Sequence, residues 1–297
     1  MLDRDTLARI SELPCWSGKI ELTPLIGGIT NRNYLVADES SQRFVLRMGR
    51  DIPEHGVLRF HELAAARAAH AAGISPEVVF VGDGLLVSRY IDGRTLTPKD
   101  VREPRNLERI VRVLQRCHHD IPRHFHGPAL IFWVFQVIRN YLSLLGAAHA
   151  NPFDVTLAVL GEKAERLEET VGAVTIVFGH NDLLAANFID DGAHLWLIDW
   201  DYAGFNSPLF DLANLASNNE LTPELETTLL EDYFGAPVAA NCRRGFQAMK
   251  CASLLREALW SGVSRITSTI DFDYTSYARG YLARFERMWQ GFAHDHD

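Results

Sequence analysis

The residues most able to do chemistry lie in one segment, residues 178–204, FGHNDLLAANFIDDGAHLWLIDWDYAG. The apolar run VTIVF before it predicts a buried extended stretch that delivers His180, Asn181 and Asp182 to a loop. Asn187 follows five residues after Asp182, then a short strand, an Asp-Asp-Gly turn and HLWLI, with Asp199 at its end. One ribbon thus presents a carboxylate, a carboxamide and a second carboxylate close together. Phosphoryl transfer needs that set: a base for the proton of the attacking hydroxyl, and hard oxygen ligands that hold Mg²⁺ against the phosphates. On this reading Asp182 is the base, and Asn187 and Asp199 are the metal ligands.

The elements that must position these residues divide the chain in two. Up to about Ile91 the pattern is β-rich: IELTPL, YLVA and FVLR read as a three-strand meander, and VVFV and LLVSRY form a second hairpin. Between them LRFHELAAARAAHAAG reads as a helix ending at Gly73. Beyond about Thr95 long helical patterns dominate: Leu107–His119, Ile131–His149, Phe153–Thr170, Pro223–Phe234, Gly245–Ser264 and Tyr274–Trp289. The expected fold is α+β, with a small N-terminal lobe holding an antiparallel sheet (residues 1–91) and a larger, mainly helical lobe (residues 92–297). The stretch Ile91–Arg94, with Gly93 in it, is the candidate hinge.

Composition narrows the partners. The chain has 297 residues, 47% hydrophobic and 23% charged, the balance of an ordinary globular protein. A net charge of -9 without a basic stripe argues against nucleic acid and favours a cationic second substrate. The apolar window ALIFWVFQVIRNYLSLLGAA is broken by Gln136, Arg139 and Asn140 and reads as a core helix, not a membrane span. Four cysteines without C-x-x-C spacing read as reduced thiols, and a charged, amphipathic N-terminus is unlike a signal peptide, so a cytoplasmic location is expected. The pair His118–His119 reads as solvated.

The spacing from Asp182 to Asn187 equals that of the protein-kinase pattern H-R-D-x-x-x-x-N. HNDLLAANFI…LWLIDWDYAGFNSPLFDLAN resembles the choline/ethanolamine kinase family, within the aminoglycoside phosphotransferase-like kinases, whose fold is protein-kinase-like. The resemblance runs from about Leu22 to Phe285. It implies ATP and Mg²⁺, and a small hydroxyl-bearing, cationic acceptor such as choline or ethanolamine. It implies a phosphate-covering loop at Gly27, Gly28 and Asn31, and Arg47 on the α/β-phosphates paired with Glu62. Backbone near Arg89 and Ile91 would meet the adenine. His180 would organise the loop, and Asp211 would hold the loop backbone.

At the C-terminal end, Trp260, Tyr277 and Tyr202 match aromatic positions that box an ammonium. Glu257 stands where eukaryotic choline kinases carry a second Trp, and Asn218 and Asn219 stand near where they carry Glu-Trp; Glu257 is expected to pair with the ammonium instead. Asp201 is open between the metal, the cationic substrate and solvent. The acceptor stays open between an amino alcohol and another hydroxyl compound (an aminoglycoside, thiamine, homoserine or a sugar). The reading outside enzymes is a non-catalytic nucleotide-binding protein.

Overall fold

The fold is taken from a computed structural model, which describes residues 3–25 and 31–294. Helix α1 (Arg4–Ser11) leads into strands β1 (Ile20–Leu25), β2 (Arg32–Asp38) and β3 (Arg43–Met48). Helix α2 (Arg59–Ala71) follows, then β4 (Val78–Gly82) and β5 (Leu85–Arg89). These strands form one antiparallel sheet in the order β1-β2-β3-β5-β4. The α2 start has no cap from its own N-cap residue; Asp51 supplies it, accepting from the Arg59 N–H at 2.7 Å.

Past the sheet come β6 (Arg94–Thr95), α3 (Pro98–Val101), α4 (Pro104–His124), α5 (Val134–Ala147) and α6 (Leu157–Val171). Short strands β7 (Val177–Gly179), β8 (Phe188–Asp190), β9 (Leu195–Leu197) and β10 (Gly204–Asn206) then carry the residues singled out above. Helices α7 (Pro208–Asn218), α8 (Pro223–Phe234), α9 (Ala240–Thr267) and α10 (Tyr274–His294) complete the chain. The antiparallel sheet followed by a helical part matches the expected α+β, protein-kinase-like architecture. Among the described residues no helix is long and apolar enough to cross a membrane.

Two apolar clusters hold the molecule. A small one lies under the first sheet, with Ile10, Val36, Phe44, Leu46, Leu85 and Val87. The large one is helical and includes Ala65, Ala68 and Ala69 of α2, so that helix buries its alanine face on the helical side. Its centre is α9: from Gly245 to Ser264 every residue except Gln247 and Lys250 is buried, which makes α9 a pillar rather than a surface helix.

Several boundaries differ from the sequence reading. The helix expected from Ile131 starts at Val134, because Ile131 bridges to Phe205 and the Phe132 N–H donates to the Phe205 carbonyl at 2.9 Å. The helix expected from Phe153 starts at Leu157, where the Thr156 hydroxyl caps the Val159 N–H. Gly93 sits in a tight approach: a side-chain carbon there would lie 2.7 Å from the Asp190 carbonyl oxygen. The stretch read as a hinge is therefore pressed onto β8, with Arg94 and Thr95 paired to Asp190 and Ile189.

Candidate active site

The β7–β10 ribbon turns on two left-handed residues. Asn181 and Asp199 have φ of 67° and 72°, a region Asn and Asp enter at lower cost than other side chains. Asn181 is buried and fixed on every side: its amide nitrogen donates to the Tyr202 carbonyl at 2.9 Å, and its Oδ1 accepts from Asn206 at 3.1 Å. Gly179 must be bare, since a side-chain carbon would fall 2.7 Å from Asn181 Oδ1. The result aims Asp182 out of the turn, half-buried.

Below the turn lies a buried anchor. Asp211, fully buried on α7, accepts from the backbone N–H groups of His180 (2.8 Å) and Asn181 (2.7 Å) and from His118 Nε2 (3.0 Å). Burial alone would raise its carboxyl. The bonds from His118 and the backbone, with the charges of His118 and His180, outweigh burial and hold it below the usual range. His118, read as solvated, is instead buried between Asp211 and the Tyr233 hydroxyl, 2.6 Å away. The α7 and α8 helices that close over it supply both partners. His180 spans the ribbon's two arms: Nε2 donates to the Ile198 carbonyl at 2.9 Å and Nδ1 accepts from the Asp182 N–H at 3.3 Å.

Asp182, Asn187 and Asp199 come together through this framework. Asn187 Nδ2 donates to the Asp182 carbonyl at 2.8 Å, leaving Oδ1 as its free end. The Ile198 N–H donates to the Asn187 carbonyl at 3.0 Å, which sets Asp199 beside Asn187 across the hairpin. A carboxamide oxygen and a carboxylate are the donors a hard divalent cation takes, with phosphate oxygens and water completing its shell. No cluster of three or more His, Cys, Asp or Glu able to hold a metal occurs among the described residues. Burial pushes the Asp182 carboxyl up to about 8, with Arg256 pulling against it and Glu257 adding to it.

Around Arg47 and Arg59 five charged groups interlock. Arg47 pairs closely with Glu62, with Asp199 at 2.6 Å and with Asp201 at 2.7 Å. Arg59 reaches Glu62 (2.6 Å), Asp201 (2.8 Å) and Asn31 Oδ1 (2.7 Å). Asp201 also accepts from Asn31 Nδ2 at 3.0 Å. The Asp199 side chain is 39% exposed and that of Asp201 only 3%, so Asp199 is open to a ligand while Asp201 is spent on the arginines. Burial raises both Glu62 and Asp199; for Asp201, Arg47 and Arg59 outweigh it and hold the carboxyl down. Asp201, which the sequence leaves open between metal, cationic substrate and solvent, is held by Arg47, Arg59 and Asn31.

A second cluster is built on α9. Trp260 Nε1 donates to the Tyr202 hydroxyl at 2.8 Å, and the Trp260 and Tyr277 rings meet edge-on at 6.1 Å. His55 stacks on Trp260 from behind, tied to Tyr141 (3.1 Å) and Ser264 (3.0 Å). Arg256, missed by sequence reasoning, is buried among these groups. It pairs closely with Glu257, lies 3.7 Å from Asp182 Oδ1 and stacks over Tyr202, its guanidinium carbon 4.5 Å from the ring centroid. Glu257 is therefore already paired inside the chain; its second oxygen accepts from the Tyr277 hydroxyl at 3.3 Å.

Other expected residues fare differently. Gly27 and Gly28 lie outside the described residues. The Arg89 N–H is donated to the Glu77 carbonyl at 2.9 Å, and its side chain turns outward to Glu77, Gln42 and Phe44. Arg89 ends the internal strand β5, opposite Phe44 of β3, and Ile91 is half-buried just past it. Arg59 had a legible signal, three residues before Glu62 on one helix face. Arg256 had one too, a charge within the apolar run CASLLREALWSGV.

Comparison with known proteins agrees with this geometry. The family model for choline/ethanolamine kinase matches residues 22–227. The chain is 32% identical to human ethanolamine kinase 2 over 318 aligned residues, covering 96% of this chain and 80% of that one. It is 31% identical to protein LicA of Haemophilus influenzae over 214 residues, 70% of this chain and 61% of LicA. The crystal structure of a choline/ethanolamine kinase family protein from Mesorhizobium loti superposes with a TM-score of 0.77 at 27% identity, covering 96% of this chain and 93% of that one. A ribbon that brings Asp182, Asn187 and Asp199 together, a kinase-like lobe pair and these matches lead to one assignment: the chain belongs to the choline/ethanolamine kinase family of small-molecule kinases.

Proposed function

We infer that this chain transfers the γ-phosphoryl group of ATP to the hydroxyl of a small amino alcohol of the choline or ethanolamine type. The observation that carries this is the joining of Asp182 to Asn187, and of Asn187 to the Asp199 arm, by single hydrogen bonds within one ribbon. Nucleotide would lie between the residues before about Ile91 and those after, with the Ile91 backbone at the adenine and Arg47 on the phosphates. Asn187 and Asp199 would hold magnesium, which would supply positive charge against the phosphates. Asp182 orients the acceptor hydroxyl and takes its proton. Arg47 leaves Asp199 for the phosphates, a change that keeps its charge paired. Positioning and electrostatics supply most of the acceleration, because phosphoryl transfer asks for little covalent help.

The names of the relatives support an amino alcohol, as do the aromatic rings of Tyr202, Trp260 and Tyr277 beside Asp182. The test is ADP release from Mg·ATP across a panel of amino alcohols, aminoglycosides, sugars and vitamins. Turnover confined to the amino alcohols is the expected result. Turnover of another class alone moves the acceptor assignment, and no turnover with any of them removes the enzymatic reading.

A further inference from the structure

The acceptor side contains a cation of its own. Arg256 is 1% exposed, lies over the Tyr202 ring with its guanidinium carbon 4.5 Å from the centroid, and is a near neighbour of Asp182, the residue read as meeting the acceptor hydroxyl. Its Nε is buried without a hydrogen-bond partner, so the guanidinium is held by Glu257, Asp182 and the ring face rather than by a full set of acceptors. Desolvation works against its charge, but Glu257 and Asp182 keep it cationic. Arg256 and Glu257 offset one another's charge within the helix. The group that remains unmatched on the far side of the pair is the second Glu257 oxygen, held only by a 3.3 Å bond from Tyr277.

We propose that Arg256 is a specificity-determining residue: by covering the Tyr202 face beside Asp182 it closes that face to a quaternary ammonium and restricts the acceptor to alcohols bearing a compact amine with N–H groups. A cation held by aromatic faces needs those faces bare, and a face of Tyr202 is taken by Arg256. A trimethylammonium has no N–H and cannot use Glu257 as a hydrogen-bond acceptor. A primary ammonium can donate to the second Glu257 oxygen and to the Tyr277 hydroxyl oxygen. This rests on the amino-alcohol reading above, but its first test is binding, which needs no turnover.

The experiment is calorimetric titration of the full chain with choline and with ethanolamine, followed by kcat/KM for both. Wild type binds ethanolamine more tightly than choline by about tenfold or more, the scale of one lost charge-assisted contact. Removing Arg256 alone would strand Glu257, so the decisive comparison is Glu257→Gln against Glu257→Gln with Arg256→Met, the double variant keeping the wild-type net charge and both being checked by thermal melting. Adding Arg256→Met tightens choline by about tenfold, through KM rather than kcat. Equal or tighter choline binding by wild type overturns the proposal, and needs no variant. So does an unchanged choline affinity on adding Arg256→Met. Binding that follows the expected order without turnover of either alcohol would leave Arg256 as the selector and strike down the kinase reading instead.

Discussion

The two halves of the site carry similar charges in opposite states of readiness. On the nucleotide side, Arg47 and Arg59 face Glu62, Asp199 and Asp201, groups drawn from β3, α2 and the ribbon. Asp199 is the open member there, and on the function proposed above its arginine would exchange it for phosphate. On the acceptor side, Arg256 and Glu257 are neighbours on one buried helix, packed on Tyr202 and Trp260. The first cluster is assembled from separate elements and suits partner exchange; the second is fixed by a single pillar and suits selection. Removing charge from the first should therefore damage nucleotide handling, while changes in the second should redistribute acceptor preference.

The largest effect that tests this division is at the boundary residue. Asp182→Ala lowers kcat by about 10²–10⁴-fold, the range for loss of a general base, with ATP affinity kept. Near-normal turnover in a folded variant would take Asp182 out of the reaction. Next, Asp199→Asn should weaken Mg·ATP binding by about 10²-fold, since it removes the exposed carboxylate of the exchanging cluster. Unaltered Mg·ATP affinity by calorimetry would merge the two halves into one static network.

Asp211→Asn should cost about 2–3 kcal/mol of stability, because it strips charge from a buried anchor that serves His118 and two backbone amides. The sign with pH follows from its lowered carboxyl. The stabilisation is present above the ordinary carboxylate pKa of about 3.9 and is lost as pH falls toward the folded value, so the variant's acid-unfolding limb should be shallower. Denaturant melts from pH 7 downward give both numbers, and parallel limbs would deny Asp211 that role. The smallest effect is at Trp260→Ala, expected to raise acceptor KM about tenfold with kcat nearly kept, as loss of ground-state contact to an ammonium does. An unmoved KM would make Trp260 a brace for Tyr202 and nothing more.

The ribbon was the most legible part of the molecule because its chemistry is local: Asp182, Asn187 and Asp199 lie within 18 residues and one hairpin joins them. The alternation and turn residues of the first sheet were equally readable, and the strands fall where IELTPL, FVLR and LLVSRY put them. What escaped depends on contacts far apart in sequence. Asp201 reads as ambiguous until Arg47 and Arg59 arrive from more than 140 residues away. His118 looks like surface until α7 and α8 close over it. Glu257 looks like a charge waiting for a ligand because its partner, Arg256, is adjacent in sequence, and adjacent residues on a helix do not ordinarily face each other.

The left-handed turns at Asn181 and Asp199 also bound what this chain can become. At φ near 70° the backbone itself favours Asn, Asp or Gly, whatever the reaction requires. An Asp-to-Asn change at position 199 would therefore silence the metal carboxylate while leaving the bend relaxed. The shortest evolutionary path away from catalysis leads to a folded descendant with its shape intact, and family membership by shape alone would not reveal the loss.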